Sequence, residues 1–195
     1  MTNGRPRDPE VDSRITSAAI ELFGEGGWRG VTMQKVAAKA GLSRASVYLR
    51  AQNRDDLLEG VLRAMLEPIS SIDEGSAEAD LRELANLLFD LYAGPGGAAV
   101  RRLIVEQPPN PLTAQRWTDL KASLIKSARV IVVRGVERGD LPKRTDPTLL
   151  LDMLAGAVFN HTNATPPEMQ SEVYNTKDCY IRTLVEYILQ PLAKK

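Results

Sequence analysis

Apolar residues recur along this chain at intervals of three and four, the period of a helix with one buried face. The first such stripe is Ile15, Ala18, Ala19, Leu22 and Phe23. Asp12 or Ser13 is placed to cap its start, and Gly24, Gly26 and Gly27 to stop it. A short helix follows from Met33 to Ala40 with Thr32 as N-cap. After Gly41 a third begins at its N-cap Ser43 and runs to about Ala51. Asn53 caps a fourth, whose first turn holds Asp55 and Asp56 near the positive end of the helix dipole. Its apolar face is Leu57, Leu58, Val61, Leu62 and Met65. A polar link after Pro68 leads to a fifth helix, from about Ala77 to Ala93, with the stripe Leu81, Leu84, Ala85, Leu88, Leu91 and Tyr92. Gly94-Pro95-Gly96-Gly97 breaks it.

A short segment around Val100 to Glu106 ends at Pro108-Pro109, and a long helix from about Thr113 to Arg138 stops at Gly139. Asp146-Pro147 reads as an N-cap followed by proline at the first helical position. Thr165-Pro166-Pro167-Glu168 reads as a capping box. The helix after Asp146 is apolar nearly all round (Leu149, Leu150, Leu151, Met153, Leu154, Val158, Phe159), so burial on several sides is expected. The last helix, to about Leu189, carries Tyr180, Ile181, Leu184, Val185 and Ile188. There is no convincing strand and no repeat. The pattern predicts an all-α chain of about nine helices.

Two of the short helices form a unit of their own. Val31 and Val36 bracket the cap Thr32, and Leu42 and Val47 bracket the cap Ser43. Each pair is a hydrophobic staple that fixes how the chain enters its helix. Two short helices joined by a glycine-bearing turn are the helix-turn-helix pattern, in which the second helix presents its N-terminus to base edges. On that second helix Val47 and Ala51 can pack inward, leaving Arg44, Ala45, Ser46, Tyr48, Leu49 and Arg50 to face outward or sideways. Arg44 can reach a guanine edge or a phosphate, and small Ala45 and Ser46 let the helix sit deep in a groove. Free N–H groups at the starts of these helices can also donate to phosphate oxygens.

Composition narrows the field further. At about 150 residues per domain, 195 residues allow one domain or a small domain fused to a larger one. The 43% apolar and 26% charged content is ordinary for a globular chain. One cysteine, Cys179, excludes an intramolecular disulfide framework and cysteine-cluster zinc sites. In a helix it is expected as a small buried hydrophobe. One histidine, His161, excludes multi-histidine metal sites, and no phosphate-cradling glycine loop is present. No cofactor is implied. The first residues hold no apolar signal region, and Leu149 to Phe159, interrupted by Asp152, is too short to span a bilayer. The cytoplasm is the expected compartment, with no membrane partner.

The 25 basic and 25 acidic residues cancel, but unevenly. From Gly26 to Arg54 there are six basic residues (Arg29, Lys35, Lys39, Arg44, Arg50, Arg54) and no acid. The net charge is −2 over residues 1–25, +6 over 26–54 and −4 over the rest. The positive charge lies where the helix-turn-helix lies.

The stretch from Ile15 to Leu66 resembles the DNA-binding domain of TetR-family transcriptional regulators. The residues that carry the resemblance are Trp28 after a glycine pair, Val31-Thr32, Val36-Ala37-Ala38, Ala40-Gly41-Leu42-Ser43, Val47-Tyr48 and Arg54-Asp55. After the tyrosine, where that family often has His-His-Phe-Pro, this chain reads Leu49-Arg50-Ala51-Gln52. The resemblance implies phosphate contacts at Thr32, Tyr48 and Arg54 and groove-facing roles for Ser43, Arg44, Ala45 and Ser46. Arg50 can replace a histidine as a phosphate contact. It further implies a flexible arm over 1–11, where Arg5 and Arg7 can reach DNA or simply belong to a tail, and a DNA-binding domain over 12–56. A helical effector-binding and dimerisation domain then spans 57–195.

These implications give a homodimer paired through the last two helices, a double-stranded operator and a largely apolar small-molecule effector. They describe a regulator, a repressor, and not an enzyme. Expected pocket residues are Tyr92, Trp117, Met153, Phe159, Asn160 and His161, although His161 near a helix end also suits the dipole there. Two other readings stay open at this point. One is a helical small-molecule-binding protein that has lost DNA binding, motivated by Leu49 and Ala51. The other is an all-α enzyme using His161 as base with Asp152 or a nearby carboxylate.

Overall fold

The structure is a computed structural model and describes residues 8–106, 108 and 110–192, without the side chains of 64–68 and 167. The expected arm with Arg5 and Arg7 and the side chain of Met65 lie outside the described residues. Among the described residues the chain is all α, with ten α-helices and three short 3-10 turns and no strand. No helix among them is long and apolar enough to cross a membrane. The helices are α1 (Pro9–Gly30), α2 (Met33–Lys39), α3 (Arg44–Tyr48), α4 (Arg54–Leu66), α5 (Ala77–Ala93), α6 (Gly97–Val105), α7 (Pro111–Arg138), α8 (Pro147–Ala164), α9 (Gln170–Asn175) and α10 (Lys177–Leu189).

The chain forms two compact units that do not follow a single cut in the sequence. One comprises residues up to 65 together with 95–117; the other comprises 66–94 and 118–195. Helix α7 gives its first turns to the former and the rest to the latter.

In the first unit Ile15, Ala18, Ala19 and Phe23 of α1 are buried with Val31, Val36, Val47, Leu57, Leu58, Val61 and Leu62, as the stripes predict. Helix α1 begins earlier than expected. Asp8 is the cap, accepting from the Glu10 amide at 3.1 Å, and Pro9 takes the first helical position. It also ends later: the chain stays helical through Gly24 and Gly26 and breaks only at Gly27, whose φ of +58° suits a residue without Cβ. Helix α6 packs along α1. The Arg102 guanidinium donates to the Gly24 carbonyl at 2.8 Å and to the Glu25 carbonyl at 2.9 Å. Its partner Glu106 accepts from the Trp28 amide. Arginine on these carbonyls satisfies acceptors that the helix break orphans.

The second unit is built on α5, α8 and α10. Its core includes Leu81, Leu84, Leu88, Phe89, Ile131, Val132, Leu150, Leu154, Val158, Ile181, Val185 and Ile188. One carboxylate lies inside it. Asp80 is 0% exposed and accepts from Arg134 at 2.8 Å, from Arg138 at 3.1 Å and from the Glu74 amide. Asp140, just beyond the Gly139 turn, accepts from the Ala77 amide at 2.9 Å. The start of α5 is thus pinned to the end of α7.

Four expectations need correction here. Asp146 caps α8 as predicted, with Pro147 first in the helix, but α8 is buried on one face only. Leu150, Leu154 and Val158 are inside, whereas Leu149 (58% exposed) and Met153 (43%) face out. The Thr165 capping box does not form, because its hydroxyl donates backwards to the His161 carbonyl at 2.7 Å and closes α8 instead. The last helix is also two, separated at Thr176, which raises the count to ten. Cys179 is exposed, not buried.

Candidate nucleic-acid interface

The α2–α3 pair is fixed by its caps. Thr32 accepts from the Lys35 amide at 3.2 Å and Ser43 from the Ser46 amide at 3.1 Å, each satisfying an N–H that the helix start leaves free. Between the helices Ala40 ends α2 and Gly41 takes φ +64°. The Leu42 amide then reaches the Ala37 carbonyl at 2.9 Å and the Gly41 amide the Ala38 carbonyl at 3.1 Å. This is the left-handed glycine stop that turns a chain sharply after a helix. From α1, Arg14 donates to the Ala40 and Gly41 carbonyls, so the turn is held from outside as well.

The platform sets which side chains face out. Val36 and Val47 are fully buried, and Ala51 is buried beside them. Thr32, Ser43, Arg44, Ala45 and Tyr48 (52% exposed) lie at the surface, with Ser46 half-buried. Arg44 is braced on Gln34 of α2 at 2.6 Å, and the Ser43 and Ser46 hydroxyls are 2.9 Å apart.

The six basic residues divide into two sets. Lys39 pairs with Glu21 at 2.9 Å and Glu25 at 3.0 Å, hydrogen bonds that raise its pKa. Arg50 pairs with Asp12 of α1 and donates to the Ser46 carbonyl at 3.1 Å. Arg54 pairs with Asp55 at 3.0 Å and reaches the Trp28 carbonyl. Arg29, Lys35 and Arg44 make no ion pair among the described residues. The sequence hid this split, since Asp12, Glu21 and Glu25 lie before the acid-free stretch and Asp55 just after it.

The same unit ties α4 to the start of α7. Asn53 caps α4 through the Asp56 amide at 2.9 Å. Asp55 accepts from the Thr113 hydroxyl at 2.9 Å and from Asn110 at 3.2 Å, and Asp56 and Glu59 pair with Arg116 at 2.8 and 3.1 Å. Burial pushes the Asp55 carboxyl up, but Thr113, Asn110 and Arg54 outweigh it and hold it below the usual range. Sequence reasoning missed Asn110 and Thr113; the cap-then-proline signal at Asn110-Pro111 was available.

Of the expected effector residues, Tyr92, Phe159 and His161 lie in the second unit, the first two in one ring contact and His161 in another. Phe89 and Tyr92, one turn apart on α5, meet His161 at 6.4 Å and Phe159 at 5.3 Å between ring centroids. His161 stacks on Tyr180 at 3.9 Å. Burial lowers the His161 pKa and raises that of Tyr92. The His161 Nε2 is buried without a hydrogen-bond partner among the described residues. Met153 and Asn160 are exposed, and Trp117 belongs to the first unit.

A rigid two-helix platform with a capped, outward-facing second helix and a cluster of unpaired cations defines a helix-turn-helix DNA-binding protein. Comparison with known proteins agrees. Residues 15–61 match the family described as bacterial regulatory proteins, tetR family, and residues 71–176 match the tetracyclin repressor-like C-terminal domain. The chain belongs to the TetR family of transcriptional regulators. It is 27% identical over 184 residues to the uncharacterized HTH-type transcriptional regulator YdeS of Bacillus subtilis, covering 93% of this chain and 89% of that one. Its fold is similar to that of the fatty acid degradation regulator FadR from Bacillus halodurans (TM-score 0.64, 22% identity, 96% of each chain). It is also similar to FadR from Bacillus subtilis in complex with stearoyl-CoA (TM-score 0.58, 21% identity, 92% of this chain and 96% of that one).

Proposed function

We propose that this chain is a cytoplasmic, homodimeric repressor that holds a palindromic operator through α3 and releases it when a small molecule binds the second unit. The observation that carries the reading is the surface set at the start of α3, whose cation, Arg44, makes no ion pair among the described residues. Ser43, Arg44, Ala45 and Ser46 are offered to base edges, and Thr32 and Tyr48 flank them toward phosphates. Arg50 and Arg54 are assigned differently from the remaining candidates. Their guanidinium groups are engaged within the chain, so they hold the reading helix and the entry to α4 in place. The DNA-binding part is taken as 12–56 and the effector and dimer part as 57–195.

The dimer rests on the exposed apolar face of α8 and on Tyr187 of α10 (69% exposed). Two copies pairing these faces about a two-fold axis would cover them and set two reading helices about one DNA turn, roughly 34–36 Å, apart. Phe159, Tyr92 and His161 offer an apolar lining with one polar nitrogen for the effector. A ligand that favours a dimer with a different head separation shifts the population away from the DNA-bound form. The stearoyl-CoA held by the Bacillus subtilis relative makes long-chain acyl thioesters the first compounds to titrate against the protein–DNA complex. Release by none of them would place the effector in another class.

Selection from a random duplex library with the full chain tests the core of the reading. Enrichment of a palindrome with half-sites about 10 base pairs apart is expected. A single unrepeated half-site would contradict the dimer, and no enrichment would contradict operator binding.

A further inference from the structure

Helix α3 carries a feature that neither charge nor capping explains. Leu49 is 78% exposed, the highest value of any large apolar side chain among the described residues. The helix continues to this residue, since the Leu49 amide donates to the Ala45 carbonyl at 3.0 Å and Leu49 keeps helical dihedrals. At 100° per residue, Ala45 and Leu49 each lie about 160° from Val47, one on either side of the direction opposite the core. Val47 is fully buried. The outermost line of the reading helix is therefore Ala45 and Leu49, one turn apart, with Arg44 and Tyr48 on one flank and Ser46 on the other. The line is also held in orientation, because Arg50 ties the end of α3 to Asp12 of α1 and to the Ser46 carbonyl.

An apolar stripe at the centre of a surface meant for a base-pair edge has one matching chemistry. In the major groove the one methyl group is the C5-methyl of thymine; cytosine carries only a hydrogen there, and the other distinguishing groups are donors or acceptors. Resting on the operator-binding reading above, we infer that Leu49, with Ala45 beside it, is a specificity-determining residue that packs on a thymine methyl in each half-site. A charged or amide side chain at residue 49 would select a different base, whereas leucine rewards thymine over cytosine without a hydrogen bond. The stripe spans about 6 Å along the helix, room for two neighbouring steps. Leu49 covers one of them and the smaller Ala45 leaves space for the adjacent base.

The test uses the palindrome selected by the full-length protein, with each thymine of the half-sites replaced in turn by deoxyuridine, which removes only the methyl. Wild type is expected to lose about fourfold in affinity at one such position, the value of one buried methyl group. Leu49→Ala is expected to bind the thymine and uracil duplexes equally there, while Leu49→Met keeps the discrimination. Leu49 is exposed, so these variants should fold as wild type does. Selection with Leu49→Gln is expected to change the preferred base at that step. If wild type binds the selected duplex but no replacement distinguishes it from Leu49→Ala, the inference is wrong and the operator-binding reading stands. If no duplex is selected at all, both fall together.

Discussion

Arg50 shows how a residue type and its task come apart. Its charge suits a phosphate, but its guanidinium is committed to Asp12 and the Ser46 carbonyl. If it positions α3, Arg50→Ala and Asp12→Ala should weaken operator binding by similar factors and leave the salt dependence unchanged. A phosphate contact would instead reduce the slope of log affinity against log salt by about 1 in Arg50→Ala alone. The same pair accounts for the small Ala51. Where a bulkier residue would wedge the end of α3, this chain has a buried alanine and an ion pair one residue earlier.

His161 offers a second prediction at this scale. Burial against Tyr180 and Phe89 depresses its pKa below the ordinary value of 6.5. The folded state therefore prefers the neutral ring, and the stabilisation is full above 6.5 and lost as pH falls through the lower folded value. Of the two rings against it, Phe89 also meets Tyr174 and the Lys177 ammonium, and Lys177 is paired to Asp90 at 2.7 Å. As the chain's one histidine, it should dominate the change in melting temperature between pH 7 and 5.5. His161→Phe, which keeps the stack, should flatten that profile, and an unchanged profile would assign the pH response elsewhere.

Among the elements, α5 and α7 are joined by a polar lock inside an apolar unit. Asp80→Ala removes the buried member of this network while Arg134 and Arg138 keep Asp73, so the cost in urea unfolding is expected near the lower end for a broken buried pair, about 3 kcal/mol. Nothing in the hydrophobic pattern marks Asp80, which sits at a polar position of an ordinary stripe. Its burial depends on Arg134 and Arg138, more than fifty residues away. The helices themselves were legible because each stripe and each cap is local: Thr32, Ser43, Asn53 and Asp146 all cap as their types predict. The misread ends fail for two different reasons, one distant in sequence and one local. Gly24 and Gly26 sit within a helix that α6 supports from outside, and Thr165 had a nearer acceptor behind it than donor ahead.

For the whole molecule, the net charge of zero conceals a division of labour. Half of the basic set near the reading helix is neutralised by Asp12, Glu21, Glu25 and Asp55, leaving Arg29, Lys35 and Arg44 as unpaired cations there. With the rest of the chain net negative, weak non-specific affinity and a clear orientation preference on DNA are expected. The apolar face of α8 bears on assembly in the same way: if the proposed dimer forms, Leu149 and Met153, exposed in the single chain, are covered by a second copy.

The most direct test is a fluorescence anisotropy titration of the selected palindromic duplex at several salt concentrations, with wild type, Arg44→Ala and Tyr48→Phe. The account predicts a linear fall of log affinity with log salt for wild type. It predicts a loss of about tenfold or more for Arg44→Ala and a smaller loss for Tyr48→Phe. Wild-type affinity in both variants would contradict it, because the surface of α3 would then not be where this protein meets DNA.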